Sequence, residues 1–568
     1  MEPVNRKVGA LVDMLMTGEL LLPEMQRRFV WDSTQIRTLV DSLYRGYPSG
    51  SILIWETESL PDTREVSLGG VTDQSIGRKL LLLDGQQRLT SLASVITGRP
   101  LRVRKGGEAR ERIIDLRFNV DHLEEFDLEE KGALERFFQL QNKTIEGIPH
   151  WISVTRLFKE GVGSILKDLR VGYDHPKYEC FNARLNKPYN VKEYYLYPVQ
   201  ILRNMSYKEV TSVFVRVNSA GTKLRESDLA LAQITSRWKG SMKLLEEKIE
   251  QSAKEHFIFD EGFLARCLVA VATGRSGFDT VGRIPLKELQ TAWENAKEGI
   301  DYTINFVRAN GSIDASEVLP SPYPLVPLIV MFSKRRAALS AHEERAFLHW
   351  LYSAGMWGRY SGAIETKLDA DLAALDSDDP PRELVRNLLS QFGRLQVTHA
   401  DLEGRGKKSP LYFMMYVSFK RMGAKDWETG LALSVRNIGR RHRIEDDHIF
   451  PKSVLNKHLK DKYDDKARKR LVNELANLAF LSKRGNVVKR AELPADYLPR
   501  VIERRGEDAL RTQCIPLDST LWQLERYGDF LSERRRLIAD AFNDLLAHLK
   551  AYDELPPARA GTAADDES

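Results

Sequence analysis

The chain is poor in the features that mark secreted, membrane-spanning and zinc-binding proteins. Three cysteines occur in 568 residues, far apart and odd in number, so they predict neither a disulfide framework nor a zinc site. The N-terminal residues do not have the character of a signal peptide. The longest apolar run, at 325–332, is too short to span a bilayer and includes a proline. These absences predict a cytoplasmic protein that makes no use of a membrane.

A Walker A motif is also absent. The segment 404–409 reads Gly-Arg-Gly-Lys-Lys-Ser, but its glycine spacing is wrong for that motif. The composition, with 42% hydrophobic and 29% charged residues, is ordinary for a soluble globular protein. The length predicts about two to four domains, because a single hydrophobic core does not grow to this size.

Basic residues are concentrated in one part of the chain. The net charge is only +5, yet the stretch 452–490 holds twelve Lys or Arg against four Asp or Glu. Such a stretch attracts a polyanion such as nucleic acid. Charge runs also occur on helix faces that simply contact water, so that alternative stays open for 460–470.

A carboxylate and a histidine stand side by side just before this basic stretch. The run 444–451, Ile-Glu-Asp-Asp-His-Ile-Phe-Pro, predicts a strand that ends at His448, and 477–481 predicts a second strand. Asn486 follows, ahead of a predicted short helix. Hydrolysis of a phosphodiester with one bound metal needs a base for the attacking water and hard oxygen ligands for Mg²⁺. An Asp-His pair alone is common, but the extended pattern has all of these groups.

This pattern resembles the HNH, or ββα-metal, nuclease finger. The resemblance implies that Asp447 and Asn486 hold Mg²⁺ or another divalent cation, and that His448 is the general base. Asn477 would keep the imidazole or its backbone in register. The basic residues predicted to contact DNA phosphates are Lys452, Lys483 and Arg484.

A second polar group follows a predicted buried strand at 79–83, where helical spacing begins at 86–96. The N-terminus of that helix offers unpaired N–H groups and a positive dipole end to a phosphate. Gly85 lets the backbone approach a ligand closely, and Arg88 can fork onto phosphate oxygens. The alternative is that Asp84 is only a helix cap and that the glutamines after it are merely polar.

Two further segments, 23–31 and 214–224, place polar and basic groups beside apolar anchors. Together with 83–90 they resemble the N-terminal domain of GmrSD-type restriction endonucleases, which is related to the ParB/sulfiredoxin fold and associated with nucleotide hydrolysis. The run 444–451 resembles the C-terminal nuclease domain of the same proteins, except that Glu-His is frequent there and Asp-His stands here. The resemblance implies a nucleotide site made of Gln26, Arg27, Asp84, Gly85, Gln86, Gln87, Arg88, Arg216 and Asn218.

The expected fold is therefore α+β and multidomain. A ParB/sulfiredoxin-like domain that binds nucleotide and senses DNA is predicted at 1–237, and a helical connector domain at 238–400. A helical domain that carries the HNH finger is predicted at 401–553, followed by a disordered acidic tail at 554–568.

The function that this resemblance implies is a DNA endonuclease of anti-phage defence. It would sense a DNA modification and couple hydrolysis of a nucleoside triphosphate to metal-dependent nicking or cleavage. Its partners would be double-stranded DNA, modified or from a phage, and the nucleotide, while the nucleotide preference and homodimer formation are left open. Two specificities also stay open: glucosylated cytosine, as in GmrSD, or phosphorothioate, as in SspE. A non-cutting, ParB-like, nucleotide-gated DNA-binding switch is the alternative from another class.

Overall fold

A computed structural model describes the chain over the ranges 2–23, 29, 31–57, 63–64, 79–105, 108–122, 137–206, 209–210, 213, 226–335, 338–434, 444–482 and 491–550. The motif residues that lie outside these ranges are Gln26, Arg27, Arg216, Asn218, Lys483, Arg484 and Asn486. The chain forms two compact units, Met1–Glu247 and Lys248–Ser568. The boundaries predicted at 237/238 and 400/401 remain predictions, and the predicted tail lies beyond the described residues.

The first unit contains a mixed sheet of six strands in the order β1-β11-β3-β5-β2-β4. The strands of this unit are β1 (Glu2–Lys7), β2 (Leu20–Pro23), β3 (Ile52–Thr57), β4 (Thr63–Arg64), β5 (Lys79–Asp84), β6 (Leu101–Lys105), β7 (Glu108–Arg112), β8 (Leu116–Asn119), β9 (Phe138–Leu140), β10 (Trp151–Ser153) and β11 (Leu196–Leu202). Strand β11 runs parallel to β3, and β5 runs parallel to β2, while the other neighbours are antiparallel. Smaller sheets have the orders β10-β8-β9 and β6-β7.

Apolar residues cover both faces of the main sheet. In β5, Leu82 belongs to one core cluster, whereas Leu81 and Leu83 belong to a cluster with Trp55 on the other face. Because a strand that is buried on both faces needs apolar side chains at every position, the run 79–83 shows no polar alternation. The strand predicted there is confirmed.

Helices of the first unit pack mainly against one face of this sheet. They are α1 (Val8–Thr17), α2 (Ser33–Tyr44), α3 (Gln86–Thr97), α4 (Val154–Asp168), α5 (Tyr178–Tyr194) and α6 (Glu226–Thr235), and α7 (Ser241–Lys254) crosses into the second unit. Helix α2 begins with a capping box: the Asp32 carboxylate accepts the Gln35 backbone N–H at 2.9 Å, and the Gln35 side chain accepts the Asp32 N–H at 3.0 Å. The helix predicted at 86–96 is confirmed as α3.

The second unit begins with a helical array. Its helices are α8 (Glu261–Thr273), α9 (Leu286–Ala309), α10 (Leu325–Lys334), α11 (Ala341–Met356), α12 (Ile364–Ala374), α13 (Pro380–Phe392), α14 (His399–Leu402) and α15 (Leu411–Arg421). The apolar run 325–332 forms the buried part of α10, which packs closely on α9: a Cβ added to Gly299 would lie 2.4 Å from the Ile329 carbonyl oxygen. Within the described ranges, no helix combines the length and the apolar character needed to cross a bilayer.

The end of the described chain carries the strands predicted around the Asp-His pair. Its elements are β12 (Ile444–His448), α16 (Lys452–His458), α17 (Asp465–Val472), a 3-10 turn (Leu475–Asn477), β13 (Leu478–Ser482), α18 (Pro494–Arg505), α19 (Asp508–Arg511) and α20 (Tyr527–Leu549). Strands β12 and β13 pair as an antiparallel two-stranded sheet. The two predicted strands are confirmed to within one residue, whereas the short helix predicted after 485 begins outside the described residues.

Candidate functional site

The Asp-His pair lies at the end of the β12–β13 sheet. Asp447 pairs with Ala479, and His448 pairs with Leu478. Successive strand residues project to opposite faces, and residues directly opposite across an antiparallel pair share a face. Asp446 and His448 therefore share the face of Phe480, while Asp447 projects from the other face.

Helix α15 covers the face that carries Phe480. The Phe480 ring packs against Tyr412, Tyr416 and Phe419, with ring centroids 5.5–6.0 Å apart. Asp446 pairs with Lys407 and accepts a hydrogen bond from the Tyr412 hydroxyl at 3.4 Å. Burial raises the pKa of Tyr412, and the charge of Asp446 raises it further. Asp446 thus joins the sheet to α15.

The opposite face of the sheet packs on a separate core. Ala479 belongs to this core together with Ile449 and Tyr497, and the Tyr497 hydroxyl donates to the Ile449 carbonyl at 3.1 Å. Burial raises the pKa of Tyr497, and the negative charge of Asp447 raises that pKa further, which places this half-buried carboxylate beside the core.

Asn477 fixes the backbone that follows the histidine. Its side chain is fully buried. The amide oxygen accepts the Phe450 N–H at 2.9 Å, and the amide nitrogen donates to the carbonyls of Phe450 at 3.2 Å and Val472 at 3.0 Å. The Asn477 carbonyl also accepts the Ile449 N–H at 2.8 Å. Since these bonds hold the two residues after His448, Asn477 has the geometry of a residue that keeps the imidazole backbone in register.

A residue that the sequence analysis missed contacts the imidazole directly. The Oδ1 atom of Asn473 lies 3.2 Å from Nε2 of His448. Asn473 follows the end of α17, and its Nδ2 donates to the Lys469 carbonyl at 2.6 Å. Its position four residues before Asn477 only weakly indicates a contact with the imidazole, because an asparagine that follows a helix usually just caps that helix end.

The neighbour of Asn473 is anchored by a buried ion pair. Glu474 is fully buried, and its carboxylate accepts from Nε of Arg535 at 2.5 Å and from Nη2 at 3.0 Å. The same carboxylate accepts the Gly404 N–H at 3.0 Å. A Cβ added to Gly406 would lie 2.9 Å from the Asn473 carbonyl oxygen. The segment 404–409 therefore packs beside the candidate site.

One of the two predicted metal ligands lies within the described residues. Asp447 supplies a carboxylate, and the predicted second ligand, Asn486, lies outside the described residues. Across the described ranges, no group of three or more His, Cys, Asp or Glu could hold a metal ion. Mg²⁺ prefers oxygen ligands, keeps several waters, and is commonly held by one or two carboxylates, so the Asp447 carboxylate is compatible with the predicted cation. The predicted phosphate contact Lys452 is exposed at the start of α16.

The second predicted site lies where β5 turns into α3. Gly85 caps α3 with a φ of 95°, and its N–H donates to the Asp84 carboxylate at 2.7 Å. Asp84 is therefore not the cap itself. Arg88 donates to the carbonyls of Ser49 at 2.7 Å and Ser51 at 2.9 Å, and to Asp84 at 3.2 Å. Arg88 thus holds the segment 49–51 against the start of α3, and its predicted phosphate contact remains a prediction.

The two glutamines of this site differ in their surroundings. The Gln87 Oε1 atom accepts the Trp31 N–H at 3.3 Å. Gln86 is 4% exposed, and neither polar atom of its side chain has a hydrogen-bond partner among the described residues. A buried amide without partners costs about 1–3 kcal/mol per group, and natural proteins retain such groups where they serve a purpose. Gln86 thus has hydrogen-bonding capacity for a ligand.

Comparison with known proteins adds to this geometry. Residues 8–235 match the model of the GmrSD restriction endonuclease, N-terminal domain. The match supports a GmrSD-type family. Such a family implies DNA as a partner. The 84–88 site lies inside the matched range, and the Asp-His pair lies beyond it. The chain is also 24% identical over 524 residues to an uncharacterized protein of Methanocaldococcus jannaschii. This alignment covers 87% of this chain and 86% of that protein.

Proposed function

We propose that the protein is a metal-dependent DNA endonuclease of phage defence, in which an HNH site cuts and the N-terminal unit binds and hydrolyses a nucleoside triphosphate. The observation that carries the proposal is the setting of His448. This histidine ends a two-stranded sheet beside Asp447, its following backbone is held by Asn477, and its ring is held by Asn473. The match to a restriction endonuclease domain makes DNA the partner.

The chemistry follows from these residues. His448 takes a proton from a water molecule whose oxygen attacks the phosphorus, and the bond from phosphorus to the leaving sugar oxygen breaks. Asp447, with Asn486, would hold Mg²⁺, which supplies charge stabilisation on the phosphate oxygens when it is bound. The leaving oxygen then takes a proton from solvent. Lys452 is exposed at the start of α16, four residues after His448 in the chain, where it could contact the DNA backbone.

The test of the nuclease proposal is cleavage of plasmid DNA with Mg²⁺ by the whole protein. We expect His448→Ala to lower nicking by at least 100-fold, because general-base catalysis contributes about 10²–10⁴-fold. His458→Ala is the matched control, since this histidine is half-buried at the end of α16 and its ring lies within hydrogen-bond distance of Lys462, at 3.2 Å. Unchanged nicking by His448→Ala would remove the proposal, and DNA binding without any cutting by the wild type would favour the nucleotide-gated switch.

The nucleotide proposal concerns Gln86 together with Asp84 and the start of α3. Unpaired N–H groups at a helix N-terminus bind phosphate oxygens, and a buried amide can donate to and accept from a nucleotide. We expect Gln86→Leu to leave the unfolding free energy unchanged or higher, because it removes unpaired polar atoms at nearly constant volume. The same change should lower triphosphate hydrolysis at least tenfold. Hydrolysis at the wild-type rate in both Gln86→Leu and Asp84→Asn would place the nucleotide site elsewhere.

Modification sensing is the finer part of the proposal. The same preparation should cut unmodified, phosphorothioated and glucosylated DNA at different rates, and the triphosphate should change those rates. A dependence on phosphorothioate would give the SspE-like specificity, and a dependence on glucosylated cytosine would give the GmrSD-like specificity. Equal cutting of all three substrates would contradict sensing while leaving the nuclease proposal intact.

A further inference from the structure

The contact between His448 and Asn473 determines which imidazole nitrogen acts. An asparagine side chain can present either its oxygen or its nitrogen to a neighbour, and the hydrogen-bond network decides between the two orientations. Here Nδ2 of Asn473 lies 2.6 Å from the carbonyl oxygen of Lys469, which only accepts. The amide nitrogen must therefore face Lys469, and Oδ1 must face the imidazole.

An amide oxygen only accepts hydrogen bonds, so Nε2 of His448, at 3.2 Å from it, must carry the proton. In a neutral imidazole the other nitrogen, Nδ1, then carries the lone pair. We propose that Asn473 is a positioning residue that holds His448 in the Nε2–H tautomer, so that Nδ1 is the atom that takes the proton from the attacking water. This inference rests on the proposed nuclease function.

The surroundings of Asn473 make this acceptor rigid. Its backbone N–H donates to the Lys469 carbonyl at 3.2 Å, which ties it to the end of α17. Glu474, next in the chain, is held by Arg535 of α20 and forms an isolated antiparallel bridge with Gly406. Because its acceptor is fixed in this way, the orientation of the His448 ring is set in the free protein. A catalytic group that is already oriented raises the rate more than one that must be ordered during the reaction.

Nitrogen spectra of the histidine ring test the tautomer without any cleavage. In protein labelled with ¹⁵N-histidine, His448 is identified by the resonances that disappear in His448→Ala. At a pH where the ring is neutral, we expect the wild type to show a protonated Nε2 and an unprotonated Nδ1. Asn473→Ala should shift these resonances towards a mixture of tautomers. Asn473→Asp keeps an acceptor for Nε2–H but loses the hydrogen bond to the Lys469 carbonyl, so it should restore the wild-type pattern only in part.

Cleavage kinetics should follow the spectra. We expect Asn473→Ala to lower kcat by about 10–100-fold with little change in KM, as is common for groups that orient a catalytic ligand, and Asn473→Asp to recover part of the loss. A wild-type spectrum with protonated Nδ1 would overturn the inference. So would a tautomer that is unchanged in Asn473→Ala. Cleavage that survives His448→Ala would instead contradict the nuclease proposal, so the two failures are distinguishable.

A second, independent observation concerns a cleft in the first unit. It has a volume of about 1310 Å³ and lies between α2 and α5. Its described lining holds the cations Arg45, Arg184 and Lys187 against the single carboxylate Glu179. None of the residues 84–88 lines it. Arg45 is paired with Asp41 at 2.8 Å, so Arg184 and Lys187 supply the positive charge that suits an anionic ligand.

The same cleft is rich in tyrosine. Tyr47 and Tyr194 line it with 48% and 76% of their surface exposed. The Lys187 ammonium lies 5.5 Å from the ring centroid of Tyr44, so cations and rings are interleaved. Exposed rings that stack bases, beside cations that bind phosphates, are what proteins use for single-stranded nucleic acid.

One wall of the cleft is shared with the 84–88 site. The Tyr195 hydroxyl donates to the Tyr47 carbonyl at 2.8 Å and accepts the Ser49 N–H at 3.2 Å. The Ser49 carbonyl in turn accepts from Arg88. We infer that the cleft binds a single-stranded or unstacked segment of DNA, and that this binding changes triphosphate hydrolysis through the segment 47–49. The inference rests on DNA being the partner of the proposed function.

Binding of a labelled single-stranded oligonucleotide tests the cleft, in a His448→Ala background that prevents cutting. We expect the double variant Arg184→Glu/Lys187→Glu to bind at least tenfold more weakly. The slope of the logarithm of the binding constant against the logarithm of the salt concentration should also decrease in magnitude by about 1.4, since each phosphate contact contributes about 0.7. The matched control is Lys143→Glu/Lys167→Glu, which reverses two exposed charges outside the cleft. Equal weakening in both double variants, or none in either, would overturn the inference.

A substitution of Tyr195 tests the coupling through the segment 47–49. Tyr195→Phe keeps the ring but removes the hydroxyl that joins Tyr47 and Ser49. At DNA concentrations that saturate binding, we expect at least a fivefold loss of the effect of DNA on triphosphate hydrolysis. An unchanged effect of DNA in Tyr195→Phe would overturn the coupling through this segment.

Discussion

Replacing Asn477 by alanine removes three hydrogen bonds from fully buried backbone groups. The groups are the N–H and C=O of Phe450 and the C=O of Val472. Each buried group left without its partner costs about 1–2 kcal/mol, so we expect Asn477→Ala to lower the unfolding free energy by about 3–6 kcal/mol. Because a domain is commonly stable by about 5–15 kcal/mol, a folded population should remain for measurement.

The chain offers a matched control in Gln513, which bonds to the backbone of β13. Gln513 is also fully buried, and it accepts the Phe480 N–H at 2.8 Å while donating to the carbonyls of Phe480 at 3.1 Å and Lys425 at 3.4 Å. Gln513→Ala should therefore cost a similar free energy. Of the two variants, only Asn477→Ala should also lower cleavage per folded molecule, since Asn477, unlike Gln513, holds the backbone next to His448.

Urea unfolding of the whole protein gives the free energies, and amide hydrogen exchange at Phe450 gives the local effect. We expect the Phe450 amide to lose its protection in Asn477→Ala and to keep it in Gln513→Ala at urea concentrations below the transition. An Asn477→Ala protein with the wild-type unfolding midpoint and a protected Phe450 amide would refute this reasoning.

Three further outcomes are expected. Gly85→Ala should destabilise the first unit by about 1–3 kcal/mol, because φ is 95° and the new Cβ would lie 2.3 Å from Cδ1 of Ile52; an unchanged thermal midpoint would contradict this. Burial lowers the pKa of His349 from 6.5 to about 4, so the unfolded state binds more protons between these values. Stability should therefore fall by about 3 kcal/mol as pH drops from 6.5 to 4, and His349→Leu should flatten that part of the profile. Asp371→Ala should lower the unfolding free energy, measured in urea, by about 3–5 kcal/mol. The substitution leaves the buried Arg359 guanidinium without the carboxylate to which it donates at 2.9 and 3.0 Å; a loss of less than about 1 kcal/mol would contradict this expectation.

Local signals made several parts of the fold predictable. The strand at 79–83 is apolar at every position after Lys79, and the Asp-Gly pair after it marks a strand-to-helix turn, so both β5 and the start of α3 were located to within one residue. The strand that ends at His448 was located equally well, because a proline follows three residues later. Each of these signals lies within a few residues of the element that it specifies.

The partners of the site residues could not be predicted in the same way. Nothing near Arg88 in the sequence indicates that it holds the carbonyls of Ser49 and Ser51, and nothing near Glu474 indicates Arg535. The segment 404–409 was expected only to fail as a Walker motif, yet it packs beside Asn473. These contacts join residues that are far apart in the chain, and they form only when whole elements pack.

The sequence by itself determined which residue types are available for phosphate chemistry and where the strands and helices that carry them begin and end, because short-range periodicity and turn residues govern those features. Only the tertiary structure decided that Asn473 faces the imidazole of His448, that Asp446 contacts α15 while Asp447 faces the other core, and that Arg88 is directed at backbone carbonyls. The physical reason is that a side chain's role depends on the charge, burial and hydrogen-bonding capacity of neighbours that packing brings to it from distant parts of the chain.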